Sequence, residues 1–246
     1  MTFVSFCSRP PPNTTSPQHR DGFVLIAIEG IDGSGKGTQA KLLHERLLET
    51  GVRSELISFP RYSQTHFGQT IGRFLNGEFG QLDQVDPHLA ATLYAADRFE
   101  SLDLLADLLA TRDVVVSDRY VPSNIAHQGA KRTGEARQQL ADWISKVEYG
   151  VFGLPKADLV IHLDLPAETA QELIAKKSKR DYTDKAADLQ EADHEYLSAV
   201  RQAYLDLAAT EPNWQTIPLL DGDRLRTIEE IADDIFTRVA PLLSTP

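Results

Sequence analysis

Cysteine is all but missing from the 246 residues: there is one, Cys7. A single thiol excludes an intramolecular disulfide and a cysteine-rich zinc site, and it makes the cytoplasm the default compartment. Long apolar runs are missing too. None approaches the roughly 20 residues needed to span a bilayer. The apolar part of the N-terminal stretch is too short for the core of a secretory signal. Basic residues are in deficit: 25 Lys and Arg stand against 36 Asp and Glu, for a net charge of −11. That balance argues against broad binding to nucleic acid or to an anionic membrane, since both need a basic surface. Small anionic ligands stay open, because they need only a local cluster of Arg and Lys. There is no internal repeat. Residues 1–21, rich in Pro, Ser and Thr, read as a flexible tail, with a targeting segment as the alternative.

What is present suits one α/β domain over residues 22–246, with 41% hydrophobic residues to fill a core. Apolar runs of strand length recur at 23–28, 54–59, 113–118, 158–165 and 215–220. Short, nearly continuous β-branched runs of this kind fit strands buried on both faces of a parallel sheet. Helical patterns lie between them, at 36–50, 87–110, 135–149, 166–180, 185–209 and 227–242. The alternation predicts a doubly wound, five-stranded parallel sheet flanked by helices. In such sheets ligands sit beyond the carboxyl ends of the strands.

The first strand runs into a glycine-rich turn, "EGIDGSGKGTQ", and then a helix. Gly30, Ile31, Asp32, Gly33, Ser34, Gly35, Lys36, Gly37 and Thr38 form a candidate phosphate cradle. Glycines let successive N–H groups point inward as an anion nest, the helix N-terminus adds partial positive charge, and Lys36 reaches the terminal phosphates of ATP. The strict phosphate-loop pattern wants Ser or Thr straight after the lysine. Here Gly37 stands there, and Thr38 comes one place late. Either Thr38 serves the Mg²⁺ ion that accompanies ATP, or the metal is held mostly through waters and carboxylates. Asp118 ends the buried strand "DVVVSD" beside the phosphates and is the candidate carboxylate for that metal. Arg61 follows a strand end and a proline, where a guanidinium can fork onto a phosphate. Tyr94 and Arg98 are four apart and share a helix face.

The spelling "GKGTQ" resembles adenylate kinases. The rest of the chain points elsewhere. "EGIDGSGKGT", "SFPRY" (58–62), "LYAADRFE" (93–100), "SDRYVPSNIAHQGAK" (117–131) and "GLPKADLVIHLDL" (153–165) together resemble thymidylate kinases, in the same order and at similar spacing. The resemblance implies a nucleoside monophosphate kinase fold with a short lid, and transfer of the ATP γ-phosphoryl group to dTMP. It implies that Arg61 binds the acceptor phosphate and that the Phe59–Pro60 peptide, next to Tyr62, is cis. Asp32 would contact the acceptor's 3′-hydroxyl and help organise the metal, while Arg119 bridges the two phosphates. Tyr94 would stack on thymine, Arg98 would hydrogen-bond it, and Ser123, Asn124 and Gln128 would read its edge. His127 stands where many relatives carry Tyr or Phe against the deoxyribose, which implies softer rejection of a ribonucleotide.

The charged stretch 176–193 matches the family's lid. One group of the family has an arginine right after the phosphate-loop carboxylate. This chain has Gly33 there, so the resemblance implies a catalytic cation from the lid: Lys176, Lys177, Lys179 or Arg180, with Arg180 the first choice. Asp188 and Glu191 match acids of the lid, and Gln190 replaces an aromatic. The family is typically homodimeric. Two other readings stay open: a nucleoside monophosphate kinase with AMP or UMP as acceptor, and a non-enzymatic phosphate-loop switch. The switch leaves Arg61 and Arg98 unexplained.

Overall fold

The structure, a computed structural model, describes residues 23–81, 84–175 and 193–243. The tail at 1–21 lies outside them, as does the lid at 176–193, with its four candidate cations, except for Asp193. Five parallel strands, β1 (Val24–Glu29), β2 (Ser54–Ser58), β3 (Val114–Asp118), β4 (Leu159–Asp164) and β5 (Trp214–Pro218), form one sheet in the order β2-β3-β1-β4-β5. All five expected strands are present within a residue or two. Alternation within each strand sorts side chains between two cores. Ile26 and Ile28 of β1, Val114 and Val116 of β3, and Ile161 of β4 face one core. Leu25, Ala27, Val115 and Val160 face the other. The first core is closed by α1 (Lys36–Glu49), α7 (Ala167–Ala175), α8 (His194–Thr210) and α9 (Ile228–Leu243). The second is closed by α3 (Pro87–Glu100), α4 (Leu102–Thr111), α5 (Val121–Gly129) and α6 (Gly134–Ser145).

Three features depart from the periodicity. The pattern over 87–110 predicts one helix, but the chain breaks at buried Ser101. Its hydroxyl donates to the Asp97 carbonyl at 2.9 Å and offers the backbone an alternative to the next helical bond. Helix α2 (His66–Leu75) was not expected, since Gly68 and Gly72 lower its propensity. It begins at Thr65, whose side chain accepts from the Gly68 N–H. Helix α5 was also unseen, because Pro122 reads as a breaker. Pro122 sits in the first turn, where its missing N–H costs nothing. Helix α6 runs on into a π-helical turn (Lys146–Val151), and a two-strand hairpin, β6 (Leu220–Asp221) with β7 (Arg224–Leu225), precedes α9.

Candidate active site

Register sets the site. Ile28 lies opposite Asp118 on one side of β1, Glu29 lies opposite His162 on the other, and Ser58 of β2 also pairs with Asp118. The turns after β1, β2 and β3 therefore open at one edge of the sheet.

After β1 the chain turns through Gly30 to Gly35 into α1. Gly33 has φ +86°, and a Cβ there would stand 2.6 Å from the Ala170 carbonyl oxygen, so only glycine fits both the conformation and the packing. Lys36 is buried. Its Nζ donates to the Ile31 carbonyl at 2.7 Å and stands 3.9 Å from Asp32 Oδ1. Burial, and then the Arg119 charge, push its pKa down to about 8. A phosphate arriving beside it reverses both influences. Gly37 has its own reason: a Cβ there would come within 2.9 Å of Asp118 Oδ2. The missing Ser or Thr is therefore the space that the Asp118 carboxylate occupies, while Thr38 is exposed on the first turn of α1. Among the described residues no three His, Cys, Asp or Glu side chains cluster as a metal cage. One carboxylate and one hydroxyl beside a phosphate cradle suit Mg²⁺, which keeps several waters and binds through few protein oxygens plus phosphates.

After β3 comes Arg119, a non-glycine residue at φ +65°. Its backbone N–H is tied to the Ile28 carbonyl at 3.1 Å. Its guanidinium donates to Asp32 Oδ1 at 2.5 Å, to Ser123 Oγ at 3.0 Å and to His127 Nε2 at 3.2 Å. The phosphate loop and α5 thus meet on one cation. Behind it lies Glu29, fully buried at the end of β1. It accepts from the Tyr120 N–H at 2.7 Å, from Ser123 Oγ at 2.6 Å and from Tyr204 Oη at 2.9 Å. Desolvation raises its pKa against those hydrogen bonds.

A narrow cleft opens beside these groups. Every acceptor-site residue expected from the sequence lines it except Arg61, and the cleft adds Pro60 and Leu75. The Phe59–Pro60 peptide is cis. Arg61 points elsewhere: its guanidinium donates to Gln64 Oε1 at 2.9 Å and to Ser101 Oγ at 3.2 Å. At the far end Arg98 is buried and forks onto Glu148, with Nε to Oε2 at 2.5 Å and Nη2 to Oε1 at 2.6 Å. Desolvation works against the guanidinium charge, but the Glu148 carboxylate, with Asp97 beside it, raises the pKa and holds it charged. Asn124 Nδ2 lies between the Ala91 carbonyl (3.0 Å) and Glu148 Oε1 (2.8 Å), two acceptors that fix which way the amide faces. That leaves Asn124 Oδ1 buried without a partner among the described residues, as are both polar atoms of the Gln128 side chain. Ser123, expected at the base edge, has its hydroxyl committed to Glu29.

A family model of thymidylate kinases matches residues 28–233. Thymidylate kinase of Mycobacterium tuberculosis (strain H37Rv) is 36% identical over 186 residues, 76% of this chain and 86% of that one. The human thymidylate kinase is 32% identical over 211 residues, covering 86% of this chain and 87% of its own. The chain belongs to the thymidylate kinase family. The solved structure of thymidylate kinase from Candida albicans superposes with a TM-score of 0.68 at 28% identity, over 90% of this chain and 92% of that one. Its agreement fits the sheet and helices above.

Relative to this thymidylate kinase fold, sequence reasoning missed Glu29, Glu148, Tyr196 and Tyr204. Glu29 was legible as the acid spelled just before the glycines. Glu148 was not: it lies 50 positions from Arg98 on an irregular turn. Tyr196 and Tyr204 sit at helical spacing on α8 and read as core.

Proposed function

We propose that the protein transfers the γ-phosphoryl group of ATP to dTMP, releasing ADP and dTDP. The observation that carries this is the set of unpaired amide atoms, Gln128 Nε2, Gln128 Oε1 and Asn124 Oδ1, buried in a cleft that ends on a charged arginine. Unmet buried polar atoms cost on the order of 1–3 kcal/mol each. A thymine edge can donate its single N–H to one of the two amide oxygens and accept from Gln128 Nε2 at one carbonyl, with Tyr94 supplying a π-face. Asp32 accepts from the sugar 3′-hydroxyl.

In this reading the acceptor phosphate lies against Arg119, with Arg61 turning in from Gln64 to join it. The ATP phosphates lie in the nest at 30–38, with Lys36 on the β- and γ-oxygens. Asp118 and Thr38 would hold Mg²⁺, which would neutralise charge on the phosphate oxygens. The acceptor phosphate is already ionised, so no strong base is needed. Positioning and charge complementarity to a diffuse transition state do the work. The second catalytic cation comes from 176–180, with Arg180 first. The reading also carries a cytoplasmic homodimer with no nucleic-acid or membrane partner. Support for the dimer is the apolar surface around α3: Leu89 is 66% and Val151 68% exposed, and Phe99 pairs with Phe152 at 4.6 Å. Among the described residues no helix is long and apolar enough to cross a membrane.

The test is ADP release with dTMP, dUMP, AMP and UMP as acceptors. Release with dTMP far above the others is expected. Fastest release with AMP or UMP supports the other monophosphate kinase reading, and turnover indifferent to any acceptor supports a switch.

A further inference from the structure

Arg119 makes one contact that general phosphate chemistry does not call for: the nitrogen at 3.2 Å belongs to an imidazole. A guanidinium has five N–H donors and no acceptor. His127 Nε2 must therefore be the acceptor, which leaves the ring proton on Nδ1. Nδ1 in turn lies 3.1 Å from Tyr196 Oη, and the tyrosine hydroxyl donates its own proton to the His127 carbonyl at 3.1 Å. Every proton in this chain has one direction. His127 and Tyr196 are both buried. Burial, reinforced by the Arg119 charge, pushes the His127 pKa down to about 3, so the ring is neutral and its tautomer is what matters. The other tautomer would set an imidazole N–H against a guanidinium N–H in a desolvated site.

Tyr196 is itself fixed. It stands in the first turn of α8, where the Asp193 side chain accepts from its backbone N–H at 3.0 Å. The hydroxyl therefore comes from a helix packed on α5 rather than from a loop.

We infer that Tyr196 is a positioning residue: Arg119 selects the Nδ1–H tautomer of His127, and the Tyr196 hydroxyl, by accepting from that Nδ1–H, holds the ring so that Nε2 is a standing acceptor that aims Arg119 at Asp32 and the transferring phosphoryl group. This rests on the proposed placement of that group. The aim of the guanidinium thus depends on a ring held by a hydroxyl from a different helix, a dependence that a lone Asp32–Arg119 pair lacks.

The experiment uses the full chain with ¹⁵N-histidine, the His127 signals being assigned by their loss in His127→Gln. An unprotonated Nε2 and a protonated Nδ1 are expected; in Tyr196→Phe that tautomer, set by Arg119, should persist while the Nδ1–H signal moves on losing its acceptor. In steady state Tyr196→Phe should lower kcat by about tenfold, the scale of one buried hydrogen bond, with KM for ATP unchanged. Glutamine has an acceptor oxygen and no tautomers, so adding Tyr196→Phe to His127→Gln should change nothing further. A protonated Nε2 in the parent protein, an unmoved Nδ1–H signal in Tyr196→Phe, or an equal loss from Tyr196→Phe in both backgrounds overturns the inference. The ¹⁵N measurement decides it even if dTMP proves not to be the acceptor.

Discussion

At the scale of single residues the site is governed by which buried groups are finished and which are not. Arg98 and Glu148 are 2% and 0% exposed, a paired charge that is costly to break from one side. Glu148→Gln leaves the arginine charge without its counterion and frees the Asn124 amide to turn. We expect KM for dTMP to rise by at least about tenfold with KM for ATP unchanged, read in the coupled assay. Equal changes in both constants would show that Glu148 only holds the fold. A second residue gives a pH signature. His162 is fully buried on β4, stacked on Tyr204 at 5.2 Å, and burial pushes its pKa down to about 4. Its folded pKa lies below the unfolded value of about 6.5, so the unfolded chain binds the extra proton. Stability from this group is complete above about pH 6.5 and is lost as pH falls towards 4. The raised pKa values of Glu29 and Asp97 work in the opposite sense. His162→Gln should therefore flatten the fall in melting temperature between pH 6.5 and 5, relative to the parent protein.

At the scale of elements, the strands were legible because a parallel sheet covered on both faces demands unbroken apolar runs, and Val114–Val116 or Leu159–Ile161 can hardly be anything else. Helices α2 and α5 were not legible. Glycines hid the first and Pro122 the second, and both carry or border the acceptor cleft, where local propensity yields to the ligand. The same divide holds for the site. Residues written next to the glycines or at a strand end could be found from the sequence. Glu148 and Tyr196, brought in from irregular or distant segments, could not. Glu29 joins the two regimes, since it ends β1 and caps the start of α5 through the Tyr120 N–H and Ser123. Glu29→Gln places an amide donor among four donors, the Tyr120 and Ser123 N–H groups and the Ser123 and Tyr204 hydroxyls. A loss of about 2 kcal/mol is expected, which lowers the melting temperature by roughly 4–8 °C for a chain of this size. An unchanged melting temperature would mean that α5 is held by packing alone.

At the scale of the whole molecule, the five-strand order brings the two turns proposed to bind phosphate to one edge, and α3 and α5 wall off a cleft beside them. The apolar surface around α3 is the proposed dimer contact. Leu89→Asp with Val151→Asp should convert a dimer to a folded monomer in analytical ultracentrifugation, with circular dichroism unchanged. A parent protein already monomeric at micromolar concentration would remove the dimer. The central claim is that two polyanions meet head to head at Arg119 and Lys36. A crystal structure with dTMP and a non-hydrolysable ATP analogue tests it most directly. Thymine against Arg98, Asn124 and Gln128, with the dTMP phosphate on Arg119 and facing the γ-phosphate at Lys36, is the predicted result. A dTMP seated outside the cleft, or inside it with its phosphate turned away from Arg119, would contradict the account.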